Sequence, residues 1–311
     1  VAEVGPGDEV IVPSYTFAAT ASAFLRTGAD IVFCEIDPST MNIDIEDVQR
    51  RITPRTRVIV PVHYGGIGAD MDGLSRLIEG TDIILIEDAA QGLESRIGTR
   101  WLGTIAPMGT ISFHETKNLH AGLCGALFLN DASLFGRAED MWERGTNRTK
   151  MLRGVVDKYT WVEPGSSFYP SELQAAFLFA QLEHIDQSHS ERQPLYEAYD
   201  RRLRPSSDLL PFSVPEVPLD RTLNAHSYFI TADTYDTAER IREGLHGRGV
   251  SAYIGYVPLH SSPMGRRLGY SADDLPVTEE AARRVLRMPL HNSMTVEDVE
   301  FVADAIEDIL T

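Results

Sequence analysis

The sequence predicts an α/β fold: a mostly parallel sheet covered by helices, followed by a small C-terminal α+β domain. Three observations carry this. Short apolar runs of strand length alternate with helix-like segments through the first half of the chain. Those runs are apolar on both faces, as strands covered on each side must be. Prolines at positions 205, 211, 215 and 218 then mark a change of pattern. The expected division is residues 1–186, a large domain, and 187–311, a small domain with its linking helix.

The elements follow in order. Glu9–Val12 reads as a short strand stopped by Pro13, and Tyr15 to Arg26 as a helix closed by Gly28. Ile31 to Glu35 is a strand. Ile43 to Ile52 is a helix whose acidic first turn suits the positive helix N-terminus. Arg57 to Val62 is a strand, Met71 to Glu79 a helix and Ile83 to Glu87 a strand. Thr110–Phe113 and Ala126–Leu129 add two strands, and Ala132–Arg144 is helical. The stretch 145–168 is rich in Gly, Ser, Thr and charge and reads as a long functional loop. Ser171 and Gln174 form a capping-box pattern before a helical repeat. A second helix covers Ser190 to Leu203. Beyond the prolines come a strand (Tyr228–Thr231), a helix (Asp236–His246), a strand (Val250–Tyr253) and helices over Thr278–Leu286 and Val296–Leu310.

Composition narrows the function. The 311 residues carry a net charge of −18, with 43% hydrophobic and 24% charged residues. That is too apolar for a disordered chain and too acidic for a nucleic-acid backbone binder. No apolar run approaches the ~20 residues that cross a bilayer, so no membrane partner is expected. No secretory signal is visible. Cys34 and Cys124 read as two free thiols of a reducing cytoplasm. No Walker, G-x-S-x-G or G-x-G-x-x-G motif is present, and no zinc spacing, so no metal is expected.

Four features carry chemistry. Asp88 follows the apolar run Ile83–Ile86, where the carboxyl ends of α/β strands meet ligands. It is either a carboxylate for a protonated ring nitrogen or an ordinary helix N-cap. Lys117, in Ser112-Phe113-His114-Glu115-Thr116-Lys117-Asn118, follows a buried strand. It is either a desolvated amine nucleophile or a solvated surface lysine. The loop around Arg148, Arg153, Lys158, Tyr159 and Trp161 concentrates cations and aromatics. It either holds a phosphorylated, base-bearing ligand or is a solvated loop around a packed tryptophan. Phe17 either stacks on a planar ring or is core. His63 and His260 also lie at strand ends.

These residues together resemble the DegT/DnrJ-type sugar-nucleotide aminotransferases, pyridoxal-phosphate enzymes of fold type I. The resemblance rests on Gly5-Pro6-Gly7-Asp8-Glu9-Val10-Ile11, Pro13-Ser14-Tyr15-Thr16-Phe17, Pro61-Val62-His63-Tyr64-Gly65 and Glu87-Asp88-Ala89-Ala90-Gln91-Gly92. It continues through Ser112 to Asn118, Ser171-Glu172-Leu173-Gln174-Ala175-Ala176 and Arg287-Met288-Pro289-Leu290, in order along essentially the whole chain. The resemblance implies a role for each residue. Lys117 joins the cofactor aldehyde and carries the proton between cofactor and substrate. Asp88 pairs with the pyridinium nitrogen, Gln91 contacts the ring hydroxyl, Phe17 stacks on the ring and Ser112 binds the phosphate. A lysine at 117 also separates aminotransferases from the family's dehydratases, which resemble it with a histidine there.

Residues 114–118, 145–148 and 156–161 most resemble the subgroup that aminates C4 of a dTDP-4-keto-6-deoxy-hexose with glutamate, giving dTDP-4-amino-4,6-dideoxygalactose. In that subgroup His114, Arg148, Lys158, Tyr159 and Trp161 are expected at the sugar nucleotide. Ser167 stands where many relatives have an asparagine reaching the phosphate of the neighbouring subunit, so a homodimer with shared active sites is implied. Relatives also carry a segment ahead of Gly5 whose helix N-terminus cradles the phosphate. The chain as written, starting at Val1, is therefore expected to bind the cofactor weakly. Two alternatives stay open: another keto-sugar nucleotide as acceptor, or a truncated, non-catalytic chain of the same fold.

Overall fold

The computed structural model describes residues Val1–Thr311. Its main sheet has six strands in the spatial order Asp30–Cys34, Glu9–Pro13, Thr56–Ile59, Ile84–Asp88, Met108–Ser112, Gly125–Leu129. The first five are parallel; the last pairs antiparallel with Met108–Ser112. Along Glu9–Pro13, successive side chains enter opposite cores. Ile11 packs with Ile59, Leu85 and Ile111, while Val10 and Val12 pack with Val58 and Ile86. The two-residue period of a strand thus explains why these segments are apolar throughout. Parallel strands bring their carboxyl ends to one edge, so Ser14, Glu35, Asp88 and Ser112 meet on the same side of the sheet.

A second, antiparallel sheet has the order Tyr253–Ile254, Val285–Met288, Tyr228–Ala232, Phe212–Ser213. The long helix Ile185–Ser207 and helices Tyr235–His246 and Val296–Leu310 enclose a core of 33 residues with it, including Tyr199, Ile230, Leu245, Leu286 and Ile306. That core also takes in Tyr15 and Tyr64, which follow strands of the main sheet. Two contacts join the halves closely. Glu35 accepts from Val277 N at 3.1 Å and Thr278 N at 2.7 Å, capping the helix Pro276–Arg284 from across the junction. Gly255 lies against Tyr15 so closely that a Cβ there would fall 1.5 Å from the phenol oxygen.

Several local expectations are corrected. The helix expected over Thr278–Leu286 ends at Arg284, and Val285–Met288 is a strand. Val285, Leu286 and Met288 are buried in the core and Arg287 is half-buried; pairing with Tyr228–Ala232 on one side and Tyr253–Ile254 on the other overrides the helical reading. The strand expected at Val250–Tyr253 begins only at Tyr253. The long helix runs through Pro194 and Pro205, so Pro205 closes a helix instead of opening a linker. The helix from Tyr15 begins at Ala18. Within 145–168 a short helix, Arg148–Leu152, interrupts the loop. There Gly145 has φ +75° and a Cβ would sit 1.7 Å from the Glu163 carbonyl oxygen, so no other residue fits. The capping box is present: Ser171 Oγ accepts from Gln174 N at 3.2 Å and Gln174 Oε1 accepts from Ser171 N at 3.1 Å.

Candidate active site

Asp88 ends its strand at the sheet edge. No helix follows it, so the N-cap alternative falls. Its Oδ2 accepts from Thr20 Oγ1 at 2.7 Å and its Oδ1 from Ala90 N at 3.1 Å. Thr20 in turn meets Thr16 Oγ1 at 3.0 Å. The backbone beneath is clamped by Asp88 N donating to Pro61 O at 2.9 Å and His63 N donating to Asp88 O at 3.1 Å. One residue earlier, Glu87 is fully buried and accepts from Gly103, Ile105 and Ala106 N at 2.7–2.8 Å. Ala69 N donates to His63 Nδ1 at 3.1 Å, which leaves the proton on Nε2 to donate to Glu87 at 2.9 Å. Burial pushes the Glu87 carboxyl up, but the hydrogen bonds from His63 and the backbone outweigh it and hold the group below its ordinary range. This charged support fixes the strand that presents Asp88.

Gln91 is buried. Its Oε1 accepts from Gly65 N at 2.8 Å and its Nε2 donates to Tyr256 Oη at 3.3 Å. Phe17 is 63% exposed and its ring lies 6.3 Å from that of Tyr256, so it is not a core residue. Ser112 ends the neighbouring strand and its Oγ accepts from His114 N at 3.2 Å. His114 Nδ1 meets Thr116 Oγ1 at 3.1 Å within the same turn.

Lys117 is not a solvated lysine. Burial, with the Arg287 charge adding to it, lowers its amine to about 8, although Asp88 pulls the other way. It lines a cavity of about 860 Å³ together with Asn118, His226, Ser227 and Arg287. Asn118 Nδ2 donates to Asn224 O at 2.9 Å, so its Oδ1 faces His226 Nδ1 at 2.9 Å and accepts that proton. Burial, then the charges of Lys117, Arg192 and Arg287, hold His226 well below the usual imidazole range, so it is neutral. The donor set fits pyridoxal phosphate: a carboxylate for a ring N–H, an amide beside it, an exposed aromatic face, a hydroxyl at a strand end and an amine poised near neutrality.

Of the expected site residues only Lys117 lines this cavity; Asp88, Gln91, Phe17, Ser112 and His114 do not, and the residues of the 145–168 loop are not brought to it within one chain. Arg148 pairs with Glu143 at 3.3 Å, and Lys150 and Arg153 pair with Asp140 and Glu139. Arg148, Lys150 and Arg153 are thus matched by carboxylates on and just after the helix Phe135–Trp142. Lys158, Tyr159 and Ser167 are exposed, and Trp161 is 74% exposed, not packed. Thr20, Tyr256, His226 and Arg287 are site residues that sequence reasoning passed over. Only Arg287 left a signal, its place in a stretch quoted for the resemblance. The others are brought together by the second sheet and by side-chain hydrogen bonds.

The model of the DegT/DnrJ/EryC1/StrS aminotransferase family matches residues 1–307. The pleiotropic regulatory protein of Geobacillus stearothermophilus is 33% identical over 99% of this chain and 80% of its own length. The dTDP-4-dehydro-2,3,6-trideoxy-D-glucose 4-aminotransferase of Saccharopolyspora spinosa is 30% identical over 99% of this chain and 79% of its own. Among solved structures, DesV of S. venezuelae superposes with a TM-score of 0.86 at 31% identity, covering 98% of this chain and 79% of that one. The chain belongs to the DegT/DnrJ/EryC1/StrS aminotransferase family.

Proposed function

We propose that this aminotransferase moves the amino group of glutamate to C4 of a dTDP-4-keto-6-deoxy-hexose, giving dTDP-4-amino-4,6-dideoxygalactose and 2-oxoglutarate. The observation that carries the reading is Lys117, an amine lowered to about 8 beside Asp88 at the sheet edge. A truncated, non-catalytic chain would have no need of that desolvated amine. Pyridoxal phosphate, when bound, supplies an aldehyde for an amine and a ring that accepts electron density. Asp88, oriented by Thr20, would accept the ring N–H, and its negative charge would keep the proton there. Gln91 with its partner Tyr256 would hold the ring hydroxyl, Phe17 would stack on the ring and Ser112 would bind the phosphate. Lys117 Nζ would act as base toward the donor carbon in one half-reaction and as acid toward sugar C4 in the other, a task suited to an amine that titrates near working pH.

The named activity of the Saccharopolyspora spinosa relative supports a dTDP-4-keto sugar and amination at C4. His114 lies on the Lys117 turn, where a sugar nucleotide can reach it. Arg148, Lys158, Tyr159, Trp161 and Ser167 lie on an exposed arm and act on the partner's site in a homodimer. The test is amination of a panel of dTDP-keto sugars with glutamate, with C4 stereochemistry read by NMR. The expected product is the galacto-configured 4-amine. Amination of 3-keto sugars alone moves the reading to another acceptor, and no amination of any acceptor overturns it.

A further inference from the structure

His226 lines the cavity beside Lys117, and the reading above gives it no task. The backbone around it is held rigidly. Asn224 Oδ1 accepts from His226 N at 3.0 Å, and Arg192 donates to the carbonyls of Ala225 at 3.0 Å and His226 at 2.9 Å. These bonds pin Ala225 at φ +50°, a left-handed conformation uncommon for alanine. The imidazole gives its Nδ1 proton to Asn118 Oδ1 at 2.9 Å, on an amide oriented by the bond from Asn118 Nδ2 to Asn224 O. A neutral imidazole protonated on Nδ1 carries a bare lone pair on Nε2. Burial, then the charges of Lys117, Arg192 and Arg287, keep a second proton away. No group of the chain donates to that Nε2. Ser227, the next residue, also lines the cavity, and its Oγ is buried without a hydrogen-bond partner. A polar atom shut away from water without a partner is costly, and a ligand that supplies the missing bond recovers that cost.

The chemistry of that ligand is narrow. Nε2 accepts and does not donate, so it offers nothing to a carboxylate or a phosphate. An ammonium is disfavoured where three cations already stand. A neutral hydroxyl is left: it donates its proton to Nε2 and accepts one from Ser227 Oγ. Glutamate has no hydroxyl, so the group belongs to the sugar. We propose that His226 and Ser227 bind the C3 hydroxyl of the keto sugar, so that they select acceptors that carry it. The proposal rests on the reading of amination at C4. In a 4-keto-6-deoxy-hexose, C4 has two ring neighbours. C5 bears the methyl group and the ring oxygen, and only C3 bears a hydroxyl. A sugar that presents C4 to Lys117 therefore brings the C3 hydroxyl with it, into the cavity that Lys117 shares with His226 and Ser227.

The test crosses two acceptors with two variants, melting temperatures being checked first. His226→Asn keeps a donor toward Asn118 and loses the Nε2 acceptor, while Ser227→Ala removes only a hydroxyl. In the holoenzyme with saturating glutamate, wild type should favour dTDP-4-keto-6-deoxyglucose over its 3-deoxy analogue by about thirtyfold or more in kcat/KM, as a site built for a hydroxyl does. His226→Asn should bring that ratio below about threefold, and Ser227→Ala should lower it about tenfold. The half-reaction with glutamate should move by less than about threefold in both. A merely structural role slows both acceptors alike and leaves the ratio standing. Should His226→Asn fail to fold, Ser227→Ala carries the comparison. Calorimetry with dTDP-6-deoxyglucose and dTDP-3,6-dideoxyglucose reads the same preference without turnover. A wild-type ratio below about threefold, or one that the folded variants leave intact, overturns the proposal. A binding preference that depends on His226 or Ser227, in a protein that aminates no keto sugar, upholds the hydroxyl site and defeats the broader reading.

Discussion

At the scale of single residues, the site works by setting the charge of two groups. Lys117→Ala should reduce glutamate-dependent amination by at least a thousandfold while leaving the far-ultraviolet circular dichroism unchanged; substantial turnover would remove Lys117 from the mechanism. Asp88→Asn should retain cofactor yet slow transfer by tenfold or more, because a neutral pyridine is a poor electron sink; near-normal rates would reduce Asp88 to a partner of Thr20. The lowered Lys117 amine has a stability signature in the cofactor-free protein. Its folded value is about 8 against an ordinary 10.5. Below about 8 both states hold the proton, and the cost of a buried charge is fully present. Between about 8 and 10.5 the unfolded state binds the proton and the folded state does not, so stability rises with pH. Urea midpoints of wild type and Lys117→Met should therefore converge across that window. A constant gap would mean that the amine is not desolvated.

At the scale of elements, the helix Glu172–Leu182 calls for explanation. None of its residues is buried, although Leu173, Phe177, Phe179 and Leu182 are all exposed apolar side chains. Trp161, Phe168, Leu152 and Val155, in the segment before it, are exposed apolar side chains as well. A patch of this kind marks a contact with another protein surface, which suits the proposed homodimer. Phe177→Asp together with Leu173→Asp should shift the protein toward a monomer in light scattering and cut activity. A fully active monomer would refute shared sites. Ser171→Ala at the cap of this helix should cost about 1 kcal/mol in thermal unfolding. Elements whose signals are local were legible in the sequence. The capping box at Ser171, the acidic first turn at Asp44 and the all-apolar strands each declare themselves within a few residues. The strand Val285–Met288 was not, because four residues that directly follow the helix formers Ala281–Arg284 show no period of their own, and its pairing with Tyr228–Ala232 is long-range.

Over the whole molecule, the same division separates the site residues that could be read from those that could not. Asp88, Gln91, Ser112 and Lys117 follow strands of one sheet, so topology alone places them on one edge. Arg287, His226 and Tyr256 come from the second sheet and its loops, and reach Lys117 only when the two halves pack. Glu35, at the end of one strand, caps the helix Pro276–Arg284 and so sets the distance between the halves; Glu35→Gln should destabilise the junction and raise the KM of both substrates together. The position of Arg287 also has a consequence in time. During synthesis the chain carries Lys117 for 170 residues before Arg287 is added, roughly ten to thirty seconds at ordinary translation rates. Through that interval the nascent large sheet holds an amine without the neighbour that helps to depress it. Ribosome-bound chains arrested before residue 285 should show a Lys117 that titrates nearer an ordinary lysine and reacts more slowly with aldehydes at neutral pH, so the maturing enzyme acquires its reactivity last.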